Sequence, residues 1–325
     1  MHSEGLSTVQ GGGAERSRGN VVGIVVTYNP DEELLRRNLE RAVEEARRVI
    51  VVDNGSRNYQ AIRALCEKLG CDFIELHFNY GIVYALKKGV ELAITSYSPS
   101  WILFLDQDSV LEKGAIEEAM AFYESLKEPL RSKVGILELG FRDLGLPYRA
   151  VEVVYGAFSG TLIRTDLLKA INFRVNFIMD QADFDLYWEV RRRGFLTLLI
   201  PRKLLHHRIG RPERNTAMYK IKLLLFKLVK GLGLRNLGGD WIPGNVLPET
   251  IYEPPLRYYY IVRNSVILLK EKKKDFLTFF KDLVFLGLAC IYFGVFREAL
   301  KALGLGFFHG LLKEEGLIKP WLLSS

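Results

Sequence analysis

The feature that most constrains this chain is Val21–Thr27, a charge-free and largely β-branched run, VVGIVVT. Such a run marks a strand buried on both faces, and a strand so buried needs helices above and below its sheet. The chain supplies them in alternation. Asn29 and Pro30 predict a helix start, with the asparagine side chain as the cap and the proline in the first helical position. Asp31, Glu32 and Glu33 fill the first turn, where the helix dipole favours carboxylates, and Leu35, Leu39 and Val43 form the buried stripe. Val49–Asp53 is the next strand. Ile62, Leu65, Cys66 and Leu69 mark a helix, Asp72–Leu76 a strand, 81–96 a helix and Trp101–Asp106 a strand. Ile116, Ala119, Tyr123 and Leu126 mark a further helix. This alternation implies a parallel sheet with right-handed crossovers, a Rossmann-like α/β half.

From about residue 134 the alternation loosens. Val134–Glu138, Val151–Tyr155 and Ser159–Arg164 read as strands, 181–193 as a helix, and Phe195–Ile200 as a last strand closed by Pro201. The character then changes. Residues 1–200 hold 24 Lys and Arg against 28 Asp and Glu, whereas residues 201–325 hold 21 against 10. The overall charge of +7 therefore conceals an acidic head and a basic C-terminal third, a split that points to a polyanion facing the basic part, nucleic acid or an anionic membrane. Residues 219–234 interleave lysines with apolar side chains, and 276–308 are aromatic and apolar. The longest uncharged stretch of the latter, Leu283–Phe296, has 14 residues, short of the roughly 20 that cross a bilayer. Residues 1–20 are rich in Gly and Ser and read as a disordered tail, neither signal peptide nor span. Cys66, Cys71 and Cys290 are scattered and form no CxxC pair, so neither a disulfide framework nor a zinc site is expected, and a reducing compartment is. These shifts divide the chain into a tail (1–20), an α/β domain (21–210) and a basic, apolar helical region (211–325).

Ligands of open α/β sheets sit at the carboxyl ends of the strands. Three strands here end in polar clusters: Thr27-Tyr28-Asn29-Pro30, Asp53-Asn54-Gly55-Ser56 and Asp106-Gln107-Asp108-Ser109. Neither GxGxxG nor GxxxxGK[ST] stands where it could serve, so a nucleotide would be held by side chains and a metal rather than by a glycine cradle. Asp106 and Asp108 can coordinate a hard divalent cation that neutralises a diphosphate, or they can be a turn pair. Arg191, Arg192 and Arg193 read as the solvated face of a helix. Ser159, in GAFSG, reads as part of a small loop lining an acceptor pocket, not as a nucleophile elbow.

TYNP (27–30), VVDNGS (51–56), NYGIVYALKKG (79–89), LDQDS (105–109) and ADFDLYWEVRRRG (182–194) follow in this order at appropriate spacing. As a set they resemble the family 2 glycosyltransferases of GT-A fold, and LDQDS is similar to the rhamnosyltransferase branch. HHRIG (206–210), RYYYIVRN (257–264) and GFFHGLLKEEG (306–316) extend the likeness. The resemblance implies a GT-A mixed sheet flanked by helices, in an enzyme that uses Mg2+ or Mn2+; the lysine-laced and aromatic runs add the expectation of a helical, membrane-associating C-terminal extension. It places Thr27, Tyr28, Asn29 and Asn54 along the nucleotide pocket, and it has Asp53 accept the N3–H of a pyrimidine. Asp106 would lie near the ribose and the metal, and Asp108 would ligate the metal. Of His206 and His207, the latter fits the pattern of a further metal ligand.

Inverting transfer needs one general base to deprotonate the acceptor hydroxyl. Counting back from Trp188 in the similar motif places it at Asp183, with Asp180 and Asp185 in reach. Ala182 stands where the family more often carries an acid. All three aspartates could instead cap the following helix. The expected reaction moves rhamnose or a related deoxysugar from a nucleotide-diphosphate donor to a polysaccharide or lipid-linked glycan. It would take place in the cytoplasm at the inner face of the cell membrane, with the basic third on anionic lipid. Helices packed on each other or on a homodimer partner are the alternative for those apolar faces, and no nucleic acid is expected. Two other readings stay open: a nucleotidyltransferase, which would need a basic glycine-rich loop near the first strand, and a non-catalytic basic binding or scaffold protein on the same fold.

Overall fold

The computed structural model describes residues 20–147, 149–207, 255–293 and 296–317. The expected tail and the lysine-laced run 219–234 lie outside the described residues. Two compact units emerge: one takes residues 20–80, 85–172 and 189–207, the other 81–84, 173–188 and the described residues from 255 on.

The first unit is built in chain order from β1 (Val21–Thr27), α1 (Glu32–Glu45), β2 (Arg48–Asn54), α2 (Tyr59–Leu69), β3 (Asp72–Leu76), α3 (Ile82–Tyr97) and β4 (Trp101–Asp106). There follow β5 (Ser109–Leu111), α4 (Ala115–Ser125), α5 (Leu130–Lys133), β6 (Val134–Leu139), β7 (Val151–Glu152), β8 (Thr161–Arg164) and α6 (Thr165–Ala170). After α7 (Ala182–Arg191), which is shared with the second unit, come β9 (Leu196–Ile200) and β10 (Leu205–His207). Eight strands form one sheet in the order β3-β2-β1-β4-β8-β6-β9-β7. β3, β2, β1 and β4 run parallel, β8 is antiparallel to both β4 and β6, β9 is parallel to β6, and β7 closes the edge antiparallel to β9. This is the mixed sheet flanked by helices that the sequence leads one to expect.

The central strand is buried along its whole length. Leu35, Leu39 and Ala42 of α1 join Ile62 and Cys66 of α2 in the core on one face. On α3, a Cβ at Gly89 would come within 2.6 Å of Ile24 Cγ2, so the glycine lets the helix lie close upon β1. Two expectations are corrected. The cap of α1 is Asp31, whose carboxylate accepts from the Leu34 N–H at 2.9 Å, not Asn29. Asn29 lies in the left-handed region (φ 47°), and its side chain is spent on a distant loop. The strand read at Val151–Tyr155 shrinks to Val151–Glu152.

In the second unit, the apolar run 276–308 resolves into two helices. The elements are α8 (Pro255–Lys270), α9 (Phe276–Phe293) and α10 (Phe296–Leu312). RYYYIVRN lies within α8, and its three tyrosines are buried together with Val262, Val266, Phe279 and Ala302. The two glycines of GFFHG in α10 face the backbone of α8, while Phe307 and Phe308 are exposed. A Cβ on Gly306 would stand 2.6 Å from the Tyr259 carbonyl, and one on Gly310 would stand 2.8 Å from that of Arg263. Glycine is what permits this approach, and Tyr259 Oη bonds His309 Nδ1 across it at 2.8 Å. On α9, Phe276, Leu277, Phe280 and Val284 are exposed. Among the described residues no helix is long and apolar enough to cross a membrane.

Candidate active site

Strand register aligns the polar clusters. Thr27 is the partner of Asp53 between β1 and β2, and Val26 that of Asp106 between β1 and β4, so the three strand ends lie side by side. The first two loops are tied together. Thr27 Oγ1 donates to Asp53 Oδ1 at 2.9 Å, and the Ser56 N–H donates to Asp53 Oδ2 at 2.9 Å. Ser56 Oγ also donates to Asp53 Oδ1 and accepts from the Asn29 N–H at 2.8 Å. Asn29 Oδ1 accepts from the Arg57 N–H at 2.8 Å. Asp53 is wholly buried in this arrangement, so contact with a base would require its carboxylate to turn out of these bonds. Asn54 is likewise internal: its Nδ2 donates to Asn79 Oδ1 at 2.9 Å and its Oδ1 accepts from the Tyr80 N–H at 3.0 Å. Tyr28, 47% accessible, is exposed, as is Asn29 beside it.

The third cluster joins the first through Gln107, a residue to which the sequence reading gave no role. Its side chain accepts from the Tyr28 N–H at 2.7 Å and donates to the Tyr28 carbonyl at 3.3 Å. The turn is braced from beneath. Asn38 Nδ2 donates to the carbonyls of Asp106, at 2.8 Å, and Ser109. The Asp106 N–H donates to Ser159 Oγ at 3.0 Å, and Ser159 Oγ donates to Ser109 Oγ at 2.7 Å. Ser159 thus belongs to the support of the Asp106 turn.

A short ribbon completes the cluster. β10 pairs antiparallel with β5, setting His207 opposite Ser109, and the two side chains share a hydrogen bond of 2.6 Å through Nδ1. The sequence reading ends the strands at Ile200 and misses this ribbon. Asp106, Asp108 and His207 each offer a ligand atom within 4.8 Å of the others, and all three are partly accessible. Two carboxylates and an imidazole form a donor set suited to Mg2+ or Mn2+. Among the described residues this is the one group of its kind.

The second unit holds the acidic segment. Asp183 Oδ1 accepts from the Phe184 N–H at 2.8 Å. Asp185 is buried and ion-paired to Lys273 Nζ at 2.7 Å and to Arg174 at 3.7 Å. Asp180 is gripped by Arg257 Nε, at 3.0 and 3.1 Å to its two oxygens. Arg174 also bonds Glu271 and Glu315, and those carboxylates raise the Arg174 pKa against the burial that lowers it. Back in the first unit, Arg192 alone of the three arginines is exposed, pairing with Glu189, whereas Arg191 and Arg193 are half-buried: Arg191 pairs with Glu152 and bonds the Val153 carbonyl, and Arg193 pairs with Glu189 and bonds the Ala170 carbonyl.

Residues 24–128 match the family described as glycosyl transferase family 2. A curated relative, the dTDP-rhamnosyl transferase RfbF of Shigella flexneri, is 23% identical over 295 residues, covering 82% of this chain and 85% of that protein. Similar solved structures include S. aureus TarS 1-349, with a TM-score of 0.45, 14% identity and coverage of 90% of this chain and 92% of that one. Another is GalNAc-T7 with UDP, GalNAc and Mn2+, with a TM-score of 0.46, 10% identity and coverage of 68% and 52%.

Proposed function

We propose that this protein, whose residues 24–128 match glycosyl transferase family 2, transfers a sugar, rhamnose or a related deoxysugar, from a nucleotide-diphosphate donor to a polysaccharide or lipid-linked glycan, with inversion at the anomeric carbon. The sugar is taken from the dTDP-rhamnosyl transferase to which most of the chain is similar. The observation that carries the reading is the convergence of Asp106, Asp108 and His207 beside the aligned Thr27 and Asp53 strand ends.

In this reading Thr27, Tyr28 and Asn29 wall the nucleotide, with exposed Tyr28 available to stack on a base. Asp53 and Asn54 shape that wall from within. Asp106, Asp108 and His207 hold Mg2+ or Mn2+, which when bound neutralises the diphosphate as it departs. The acceptor hydroxyl attacks the anomeric carbon from the face opposite the diphosphate. The new C–O bond forms as the C–O bond to phosphate breaks, and the hydroxyl proton passes to Asp183. Asp180 and Asp185 compensate the cations Arg257 and Lys273 in holding this segment. The apolar outer face of α9 and the lysines around it, Lys272 and Lys281, suit an anionic membrane surface at the cytoplasmic side, where a lipid-linked acceptor would be presented.

The test is the binding and turnover of a panel of nucleotide sugars, with and without Mn2+ or Mg2+, by the parent and by Asp108→Ala. Metal-dependent binding of one donor that disappears in the variant is expected. Failure of every donor with either metal would overturn the proposal and favour a non-catalytic binding protein.

A further inference from the structure

The residues just before Asp183 have an uncommon backbone. Asp180 and Gln181 both have positive φ, 54° and 64°. Residues with a side chain enter the left-handed region at a cost, and seldom two in succession. The second of them also starts the helix, because the Gln181 carbonyl accepts from the Asp185 N–H at 3.1 Å. A change at Gln181 would therefore move the first turn of α7, which carries Asp183.

Residues from outside α7 hold this turn one residue at a time. Asn264, fully buried on α8, donates both Nδ2 hydrogens to backbone carbonyls, those of Met179 and Asp180, each at 2.9 Å. Its Oδ1 accepts from Arg263 Nε at 2.9 Å, which fixes the orientation of the amide. Lys274, also buried, donates to Gln181 Oε1 at 2.6 Å and to Ser265 Oγ at 3.2 Å, pairs with Asp282, and lies over the Phe184 ring. Arg257 grips the Asp180 carboxylate. Burying an amide and an ammonium costs desolvation that an apolar residue would not incur. Both Nδ2 hydrogens of Asn264 and one donor of Lys274 are directed at residues 179–181.

We infer that Asn264 and Lys274 are positioning residues, which hold Asp180 and Gln181 in a left-handed turn and thereby set where Asp183 meets the acceptor hydroxyl. The inference rests on the reading of Asp183 as the base. It assigns RYYYIVRN and the Lys272–Lys274 segment a part in turnover, not only in helix packing.

The test uses the full chain, with turnover expressed per nucleotide-binding site so that unfolded molecules do not count. Asn264→Ala should lower kcat by about 100-fold, the effect of a misplacement of about 1 Å, and leave the donor KM unchanged. Adding Gln181→Gly should restore part of the loss, because glycine takes the left-handed region freely. Folded Asn264→Ala with parental kcat would overturn the inference. Arg257→Gln, at a half-exposed position, serves if Asn264→Ala does not fold; a lower kcat at unchanged melting temperature supports the clamp, and parental kcat refutes it. Asp183→Asn is read separately. If it stays active, the base assignment falls, while the Asn264 and Arg257 results still decide whether the turn is held for catalysis.

Discussion

Ser109→Ala tests the support of the proposed metal site. The Ser109 side chain is wholly buried and touches no solvent. Its hydroxyl accepts from Ser159 at 2.7 Å and shares a 2.6 Å bond with His207 Nδ1. The turn should survive its loss, because the Ser109 and Asp106 carbonyls remain bound to Asn38. Two consequences can be sized. In the fold, Ser159 Oγ loses its acceptor, and an unsatisfied buried polar group costs about 1–3 kcal/mol. In the site, the His207 imidazole, whose Nδ1 also stands 3.9 Å from Asp108 Oδ1, loses the hydroxyl that fixes its plane. Loss of such an outer partner weakens metal affinity by about 10–100-fold, or about 1.4–2.7 kcal/mol. The assay is a Mn2+ titration by calorimetry, with a thermal melt of each variant. Affinity should fall in Ser109→Ala, further in His207→Ala and furthest in Asp108→Ala. A Ser109→Ala protein that melts earlier yet binds Mn2+ like the parent would refute the reasoning, since the serine would then serve the fold alone.

Two further outcomes are expected. Replacing the exposed Phe276 and Phe280 with serine should leave the melting temperature unchanged but cut binding to anionic vesicles at least about tenfold, since each phenylalanine contributes about 1.5–3 kcal/mol when fully buried. Parental sedimentation with the vesicles, or a stable dimer that hides this face in solution, would remove the membrane role. Glu271, held below the ordinary carboxylate value of 4.5 mainly by its hydrogen bond to Arg174, stabilises the fold above that value. Because its folded pKa is depressed, this contribution is lost as pH falls below 4.5 and through the folded value. Glu271→Gln should therefore melt lower than the parent at neutral pH and converge with it in acid; parallel melting curves at all pH values would contradict the assignment.

The sheet is legible in the sequence because burial on both faces leaves a local trace. β1, β3 and β4 lie where Val21–Thr27, Asp72–Leu76 and Trp101–Asp106 are read. The three acidic and polar strand ends are legible for the same reason, since a strand's end fixes where its next side chains stand. Local pattern does not reveal which distant group a polar side chain will find. Asn29 and Asp31 are both good caps by type, and only the loop at Ser56 and Arg57 decides between them. β5 and β10 have three residues each, too few for any period to show, so the approach of His207 to Asp108 is not written in either segment. Asn264 sits in an apolar helix, and its purpose depends on a carbonyl 84 residues upstream. Hydrophobic period locates elements, whereas long-range polar pairing builds the site.

The carboxylate of Asp53 is shared between two loops, bonded to Thr27 on one side and to Ser56 on the other. Asn29, reaching back to Ser56 and Arg57, closes the same circuit. The two loops are therefore one mechanical part: neither can swing aside without breaking bonds in the other. At the proposed site, a nucleotide arriving at that wall would meet a surface whose freedom was surrendered during folding, so ordering costs of about 0.5–1.5 kcal/mol per side chain would not recur on binding. Discrimination between donors would then fall to side chains outside this circuit, such as the exposed ring of Tyr28.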